Sequence, residues 1–267
     1  MKFLNLGCGN LFVDSDNWVN IDQSPFDKRV KKVNLENRLP FPDNAFDVVY
    51  SSHVFEHILP HHLPKVLNEC NRILQKGGVI RIVVPDFQEM VEAYLKLKHL
   101  GHMERASFIK HEILDQCVRH YSGGRLLNWY EKARKDASLR NFIAMRNGHF
   151  STDIVDHVNS SKRLSGMNFK RIRRGILRRY FLLLVLMMPR SYRSNLVSLA
   201  QLGELHKWVY DFDDLFFLLK EAGFGKIQRV SAKKTRIESF PLEPLDLTRW
   251  GKIRKGKESM FIEAVRL

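Results

Sequence analysis

Six residues into the chain, a short apolar run breaks on two closely spaced glycines: Phe3-Leu4-Asn5-Leu6 gives way to Gly7-Cys8-Gly9-Asn10. This is the tightest local constraint in the sequence. A buried strand that ends on Gly-x-Gly can turn sharply and let a ligand approach the backbone, because neither glycine carries a Cβ. Trp18 to Ile21 reads as a second strand closing on Asp22, where an acid can accept hydrogen bonds from both hydroxyls of a ribose. Alone, such a turn is a weak sign of a nucleotide-type cofactor; the plain alternative is a tight turn with a surface acid. Cys8 reads as filler of the turn, not as a nucleophile.

The pattern continues as strands alternating with helices. Ala45 to Ser51 is a third buried strand after the turn Pro42-Asp43-Asn44. Leu63 to Leu74 has apolar residues at helical spacing and is expected to stop at Gly77-Gly78. Val79 to Val84 is another strand, closed by Pro85-Asp86. Later come an amphipathic helix from Asp213 to Ala222, a strand from Lys226 to Val230 and a last strand from Ser259 to Val265. This alternation predicts an α/β fold, a Rossmann-like doubly wound, mostly parallel seven-stranded sheet. Residues 90–203 are polar, basic and helical in pattern, too long for a simple connection. They are expected to form a helical insertion capping the acceptor side of a core made of 1–89 and 204–267.

Five stretches in order carry a more specific signal: Leu4 to Asn10, Asn20-Ile21-Asp22, Leu39 to Val49, Val54-Phe55-Glu56-His57-Ile58, and Glu69 to Gly78. Together they resemble the class I S-adenosylmethionine (SAM) dependent methyltransferases, in particular the type 11 branch. The resemblance implies SAM as cofactor, with Gly7, Cys8 and Gly9 under its methionine part and Asp22 on its ribose. It places Asn34, Leu35 and Glu36 at the adenine, and Ser51 and Ser52 beside the methyl group. Asn5 stands where the family commonly has an acid, and the third glycine of the turn is missing. That missing glycine also disfavours a dinucleotide.

Methyl transfer needs an aligned acceptor and, for a hydroxyl, a base. His53, Glu56 and His57 share a face in a helical turn just past the third strand, with His57 the first choice of base and His53 the second. The alternative is that Glu56 and His57 merely open a helix. Asp86 reads either as an acceptor contact or as a helix cap. His206 and Tyr210, in Gly203-Glu204-Leu205-His206-Lys207-Trp208-Val209-Tyr210-Asp211, read as acceptor contacts or core. No metal site is expected, since the adjacent His61 and His62 lack a carboxylate at ligand spacing.

The chain of 267 residues carries 44 basic against 29 acidic residues, a net charge of +15 that attracts polyanions. Ten basic residues fall between Lys162 and Arg193 with no acid among them, around the apolar run Tyr180 to Met188. That run is too short to span a bilayer. It suits peripheral contact with an anionic membrane, or else a buried cap helix with a basic face. Nucleic acid is a less favoured partner, because no stacking aromatics interleave the charge and no Asn-Pro-Pro-Tyr type motif follows the third strand. The three cysteines are scattered, as in a reducing compartment, and no signal peptide is read; a cytoplasmic protein is expected. The late Gly-Glu-x-His-Lys-Trp-x-Tyr-Asp stretch resembles methyltransferases that accompany bacterial surface-polysaccharide synthesis. A sugar, nucleotide-sugar or lipid-linked glycan acceptor is therefore expected. An RNA or other small-molecule methyltransferase, or a non-catalytic SAM-binding protein, are the alternatives.

Overall fold

Buried on both faces, the apolar runs of the first ninety residues can satisfy their backbone only by pairing with one another. In the computed structural model, which describes residues 1–148, 180, 184, 185, 187 and 205–267, they do so in parallel. β1 (Phe3–Leu6), β2 (Trp18–Asp22), β3 (Lys31–Lys32), β4 (Phe46–Ser52) and β5 (Leu74–Pro85) form the parallel part. β6 (Phe224–Val230) and β7 (Ser259–Arg266) complete a seven-stranded sheet of order β3-β2-β1-β4-β5-β7-β6. β7 runs antiparallel to both its neighbours. The expected Rossmann-like, mostly parallel α/β sheet is what forms. Its strand order reverses between β1 and β4, so the loops leaving those two strands flank a crevice at their carboxyl ends, where such sheets bind ligands.

Two local features depart from the usual pattern of such a sheet. The helix α1 (Leu63–Ile73) does not run on to the glycine pair: Leu74 is already extended and opens β5. Gly77 and Gly78 instead lie inside β5, Gly77 at φ +80°. A Cβ on Gly78 would stand 2.8 Å from Gln75 O and 2.9 Å from Asp47 O, so this glycine permits a close approach to β4 where the register shifts. The first turn also leads into no helix. Residues 7–17 pass from β1 to β2 as irregular chain, held by side-chain amides described below.

Past β5, α2 (Phe87–His99), α3 (Met103–Val118), α4 (Leu126–Lys135) and α5 (Ala137–Asn147) pack on a core of their own, with Met90, Phe108, Ile109, Leu126, Phe142 and Ile143 at its centre. Buried Arg146 ties three of these helices, bonding to Glu112 at 2.7 Å and Glu89 at 2.8 Å. These four helices account for most of the chain from Phe87 to Asn147. Most of the remainder of 90–203, including most of the basic segment 162–193 and five of the nine residues of its apolar run 180–188, lies outside the described residues. Tyr180, Leu184, Val185 and Met187 are helical. No helix among the described residues is long and apolar enough to cross a membrane.

α1 and α6 (Phe212–Glu221) cover one face of the sheet. Leu63, Val66, Leu67, Leu215 and Leu219 meet Leu4, Leu6, Val49, Ile80 and Ile82 there. α6 starts on a reciprocal cap, in which Asp211 accepts from Asp214 N and Asp214 from Asp211 N. The opposite face is closed by irregular chain from 231 onward, including the single turn α7 (Leu242–Leu245). Ile237, Phe240 and Leu245 pack there on Phe3, Trp18, Tyr50 and Phe261. Arg81 clamps this segment from inside the sheet. Its guanidinium bonds to Asp246 at 2.8 Å, to Glu263 at 2.6 Å and to Ser231 O at 3.1 Å, while Tyr50 donates to Asp246 at 2.8 Å.

Candidate active site

The glycine turn adopts backbone that L side chains rarely enter: φ is +66° at Gly7 and +54° at Gly9. Gly7 N and Cys8 N both donate to Ile21 O, at 2.9 and 3.1 Å. Gly9 N donates to Asp22 Oδ2 at 2.9 Å and Ser24 N to Oδ1 at 2.7 Å. Asp22 therefore braces the turn, and each oxygen keeps a further lone pair for a ligand. A Cβ on Gly9 would meet nothing within 4 Å. The turn lies open there, beside a groove of about 450 Å³ lined by Asn10, Phe12, Phe26 and Arg29.

Asn5 is buried and works inward. Its amide nitrogen donates to Leu11 O at 3.1 Å and Asn20 Oδ1 at 3.3 Å, and Asn20 in turn donates to Val13 O at 2.9 Å. This pair of amides holds the helix-less crossover in place. Burial, assisted by the Asp22 carboxylate, pushes the Cys8 thiol up to about 12, which leaves it an inert packed thiol. Asn34 is exposed and accepts from Glu36 N at 3.0 Å. Leu35 packs against the core, and Glu36 pairs with His62 at 3.0 Å and Lys207 at 3.9 Å. Ser51 is fully buried in β4 on the same face as Val49, while Ser52 is half-buried at the strand end.

Across the crevice the chain leaves β4 through His53, at φ +53°, into a 3₁₀ turn at Phe55–His57. That turn gathers His53, Glu56 and His57, and the segment 205–210 brings His206 onto them. His53 Nδ1 stands 3.2 Å from Glu56 Oε1 and its Nε2 2.9 Å from Ser259 Oγ. His57 Nδ1 bonds to Leu205 O at 3.0 Å, and its ring meets that of His206 edge to face at 4.9 Å. Lys207 N donates to Glu56 O at 2.7 Å, and His206 N to Gln116 O at 2.9 Å, stitching the late segment to this turn and to α3.

Glu56 is almost wholly buried, and its Oε1 faces imidazole nitrogens, His53 Nδ1 at 3.2 Å and His57 Nε2 at 3.9 Å. Burial alone would raise its pKa; the imidazoles of His53, His57 and His206 outweigh burial and draw it down to about 2. Burial holds His53 and His206 neutral, at about 4 and about 3, with the Lys255 cation adding to the effect on His53. The Glu56 carboxylate thus lies beside two imidazoles, those of His53 and His206, that burial keeps neutral at physiological pH.

Asp86 caps α2 through Glu89 N at 3.4 Å and pairs with Arg229, so it is held on two sides. Tyr210 is buried with the core, its hydroxyl without a partner among the described residues and its pKa pushed up by burial. Three groups at this rim escaped sequence reasoning: Lys255, Glu258 and Ser259. Ser259 was legible as the start of a strand. Only the antiparallel direction of β7, pairing Ser259 with Pro85, brings it and its neighbours to the rim reached by β4 and β5. Ser259 Oγ donates to Glu258 Oε1 at 3.0 Å, and burial with the Glu112 charge lifts Glu258 to about 8.

Residues 15–82 match the family model described as a methyltransferase domain. A stretch of 76 residues is 33% identical to a protein of Aspergillus luteorubrus named probable methyltransferase ltbC, covering 27% of each chain. The chain thus spans about a quarter of the length of the curated relative it matches. Solved structures similar in outline include a SAM-dependent methyltransferase, possible histamine N-methyltransferase, of Thermotoga maritima. It is 13% identical at a TM-score of 0.40, over 100% of this chain and 82% of the other. Another is a SAM-dependent methyltransferase of Archaeoglobus fulgidus, 14% identical at 0.42, over 99% and 86%. Likenesses of that size carry no functional argument. From Ser15 in the first crossover to Ile82 within β5, the chain carries the sequence pattern of a methyltransferase domain.

Proposed function

We propose that this protein is a SAM-dependent methyltransferase that methylates a hydroxyl of a sugar, nucleotide-sugar or lipid-linked glycan in cell-envelope polysaccharide synthesis, working in the cytoplasm. One contact carries the reading. Gly7 of the open turn packs directly on Val54, the residue after His53, so a cofactor cradle and an imidazole–carboxylate cluster face one crevice. The match of residues 15–82 to a methyltransferase domain supports SAM as the occupant of the cradle.

The residues present fit that cofactor: an open glycine turn for close approach and an acid with spare lone pairs for a ribose. SAM, when bound, supplies an electrophilic methyl group on a sulfonium. Gly7, Gly9 and Asp22 hold and orient it. Because a carbonyl only accepts, the bond to Leu205 O puts the His57 proton on Nδ1. Its Nε2 is left with a lone pair that can take the acceptor's hydroxyl proton. Helices between α2 and α6 would wall the acceptor pocket, and segment 162–193 would supply a basic surface for an anionic membrane or a phosphate-bearing acceptor.

Calorimetric titration with SAM and its demethylated product, beside an Asp22→Ala variant, tests the first half. Binding lost in the variant supports the reading, and no binding to the folded wild type overturns it. Labelled SAM with glycan extracts tests the acceptor; label appearing in RNA instead would replace the glycan acceptor with RNA.

A further inference from the structure

We infer that Glu56, His57 and His206 form a binding site for one divalent transition-metal ion. Their ligand atoms all lie within 4.8 Å of one another. Two features of this group suit a cation, and a third fixes the position of the last ligand.

The first is the state of Glu56. It is 1% exposed, and what its Oε1 faces are imidazole nitrogens, His53 Nδ1 at 3.2 Å and His57 Nε2 at 3.9 Å, with no backbone N–H, Lys or Arg bonded to either oxygen among the described residues. A buried carboxylate left this way is costly unless a cation answers it. The second is the aim of His57. With Nδ1–H donating to Leu205 O, the lone pair sits on Nε2, 3.9 Å from Glu56 Oε1. A ligating histidine characteristically donates its other ring N–H to a carbonyl or carboxylate, which fixes tautomer and ring orientation. The third is the backbone that delivers His206. Its N–H is tied to Gln116 O, and the next two amides, of Lys207 and Trp208, are tied at 2.7 and 3.3 Å to the carbonyl of Glu56 itself.

Two donors at about 2.1 Å from a tetrahedral ion stand about 3.4 Å apart, so side-chain rotations of about 1 Å bring this set to bonding distance. Two imidazoles and one carboxylate suit zinc, iron, cobalt or manganese and not the all-oxygen preference of calcium or magnesium. His57 is 22% exposed, which leaves a position open to water or to an acceptor oxygen. Binding of the ion does not depend on the methyltransferase reading. If both hold, the ion takes over from His57 the polarising of the acceptor hydroxyl.

The experiment uses the full chain, stripped with a chelator and titrated with ZnCl2 by calorimetry and with CoCl2 by visible absorption. One ion per chain, with the d–d bands of low-coordinate cobalt(II), is expected. Glu56→Gln and His206→Asn should each weaken uptake about tenfold or more, and His61→Ala, in the exposed neighbouring loop, should not. Circular dichroism checks that each variant is folded. No stoichiometric uptake by the folded wild type, or uptake unchanged by both substitutions, overturns the site. SAM binding measured on the same samples keeps the two readings apart: SAM bound without metal removes this inference alone, and metal bound without SAM removes the methyltransferase reading alone.

Discussion

Gly7 lies against Val54 so closely that a Cβ added to it would fall 2.5 Å from Val54 Cγ2 and 3.0 Å from Cγ1. The loop leaving β1 and the loop leaving β4 are thereby locked together at the point where the strand order reverses. Gly7→Ala must both adopt φ +66° and displace a buried valine. A loss of about 2–4 kcal/mol in urea unfolding is expected, with SAM affinity falling alongside.

Gly9 has a similar backbone but open space above it. Gly9→Ala should cost only the left-handed conformation, about 1–2 kcal/mol. SAM binding measured by calorimetry should nevertheless be lost, because the new methyl fills the cradle. A variant as tight as wild type would show that no ligand approaches there.

Arg81 is wholly buried between Asp246 and Glu263 and stacks over Phe240 at 5.4 Å. Arg81→Met would leave buried Asp246 without a cation and Glu263 with Arg236 alone, at 3.4 Å. A destabilisation of about 3–5 kcal/mol is expected, read as a lower urea midpoint. The triple variant Arg81→Met, Asp246→Asn, Glu263→Gln should recover part of that loss.

Glu258 makes stability depend on pH. The unfolded chain releases this proton near 4.5, the folded one only near 8, since burial first and the Glu112 carboxylate second outweigh the pull of Lys255. Between those values the folded state holds more protons, so the contribution of Glu258 to stability is full below about 4.5 and declines as pH rises to about 8. Glu258→Gln keeps an acceptor for Ser259 and does not titrate. The unfolding midpoint of the variant relative to wild type should therefore rise steadily across that window; a pH-independent difference would count against it.

His57→Ala removes the imidazole that shares its turn with Glu56 yet touches none of the residues that brace Asp22. Methyl transfer should fall about 10²- to 10⁴-fold while SAM affinity stays within a few-fold. A parallel loss of SAM affinity would place His57 at the cofactor instead.

Much of the fold was legible locally because parallel strands buried on both faces must be largely apolar, as Val48-Val49-Tyr50 at the centre of β4 is. Errors arose where a residue type serves two purposes. Gly77-Gly78 has the composition of a helix stop, but the helix had already ended at Ile73, and these glycines serve a close strand approach. Likewise a glycine turn after a strand usually opens a helix, yet residues 7–17 are held by the amides of Asn5 and Asn20. No periodicity announces a loop held by two side chains.

The sequence alone determined four of the five parallel strands, the glycine turn with Asp22, and the His53–Glu56–His57 turn. All of these depend on spacings of a few residues. Tertiary structure alone decided what those residues face. His206 comes from 149 positions beyond His57, and Ser259 reaches His53 only because β7 runs backwards beside β5. Arg81 is neutralised by acids 165 and 182 residues away. Local spacing governs which backbone conformation is cheap. The burial of charge is settled by whichever distant segments pack against it, and no short stretch of sequence carries that information.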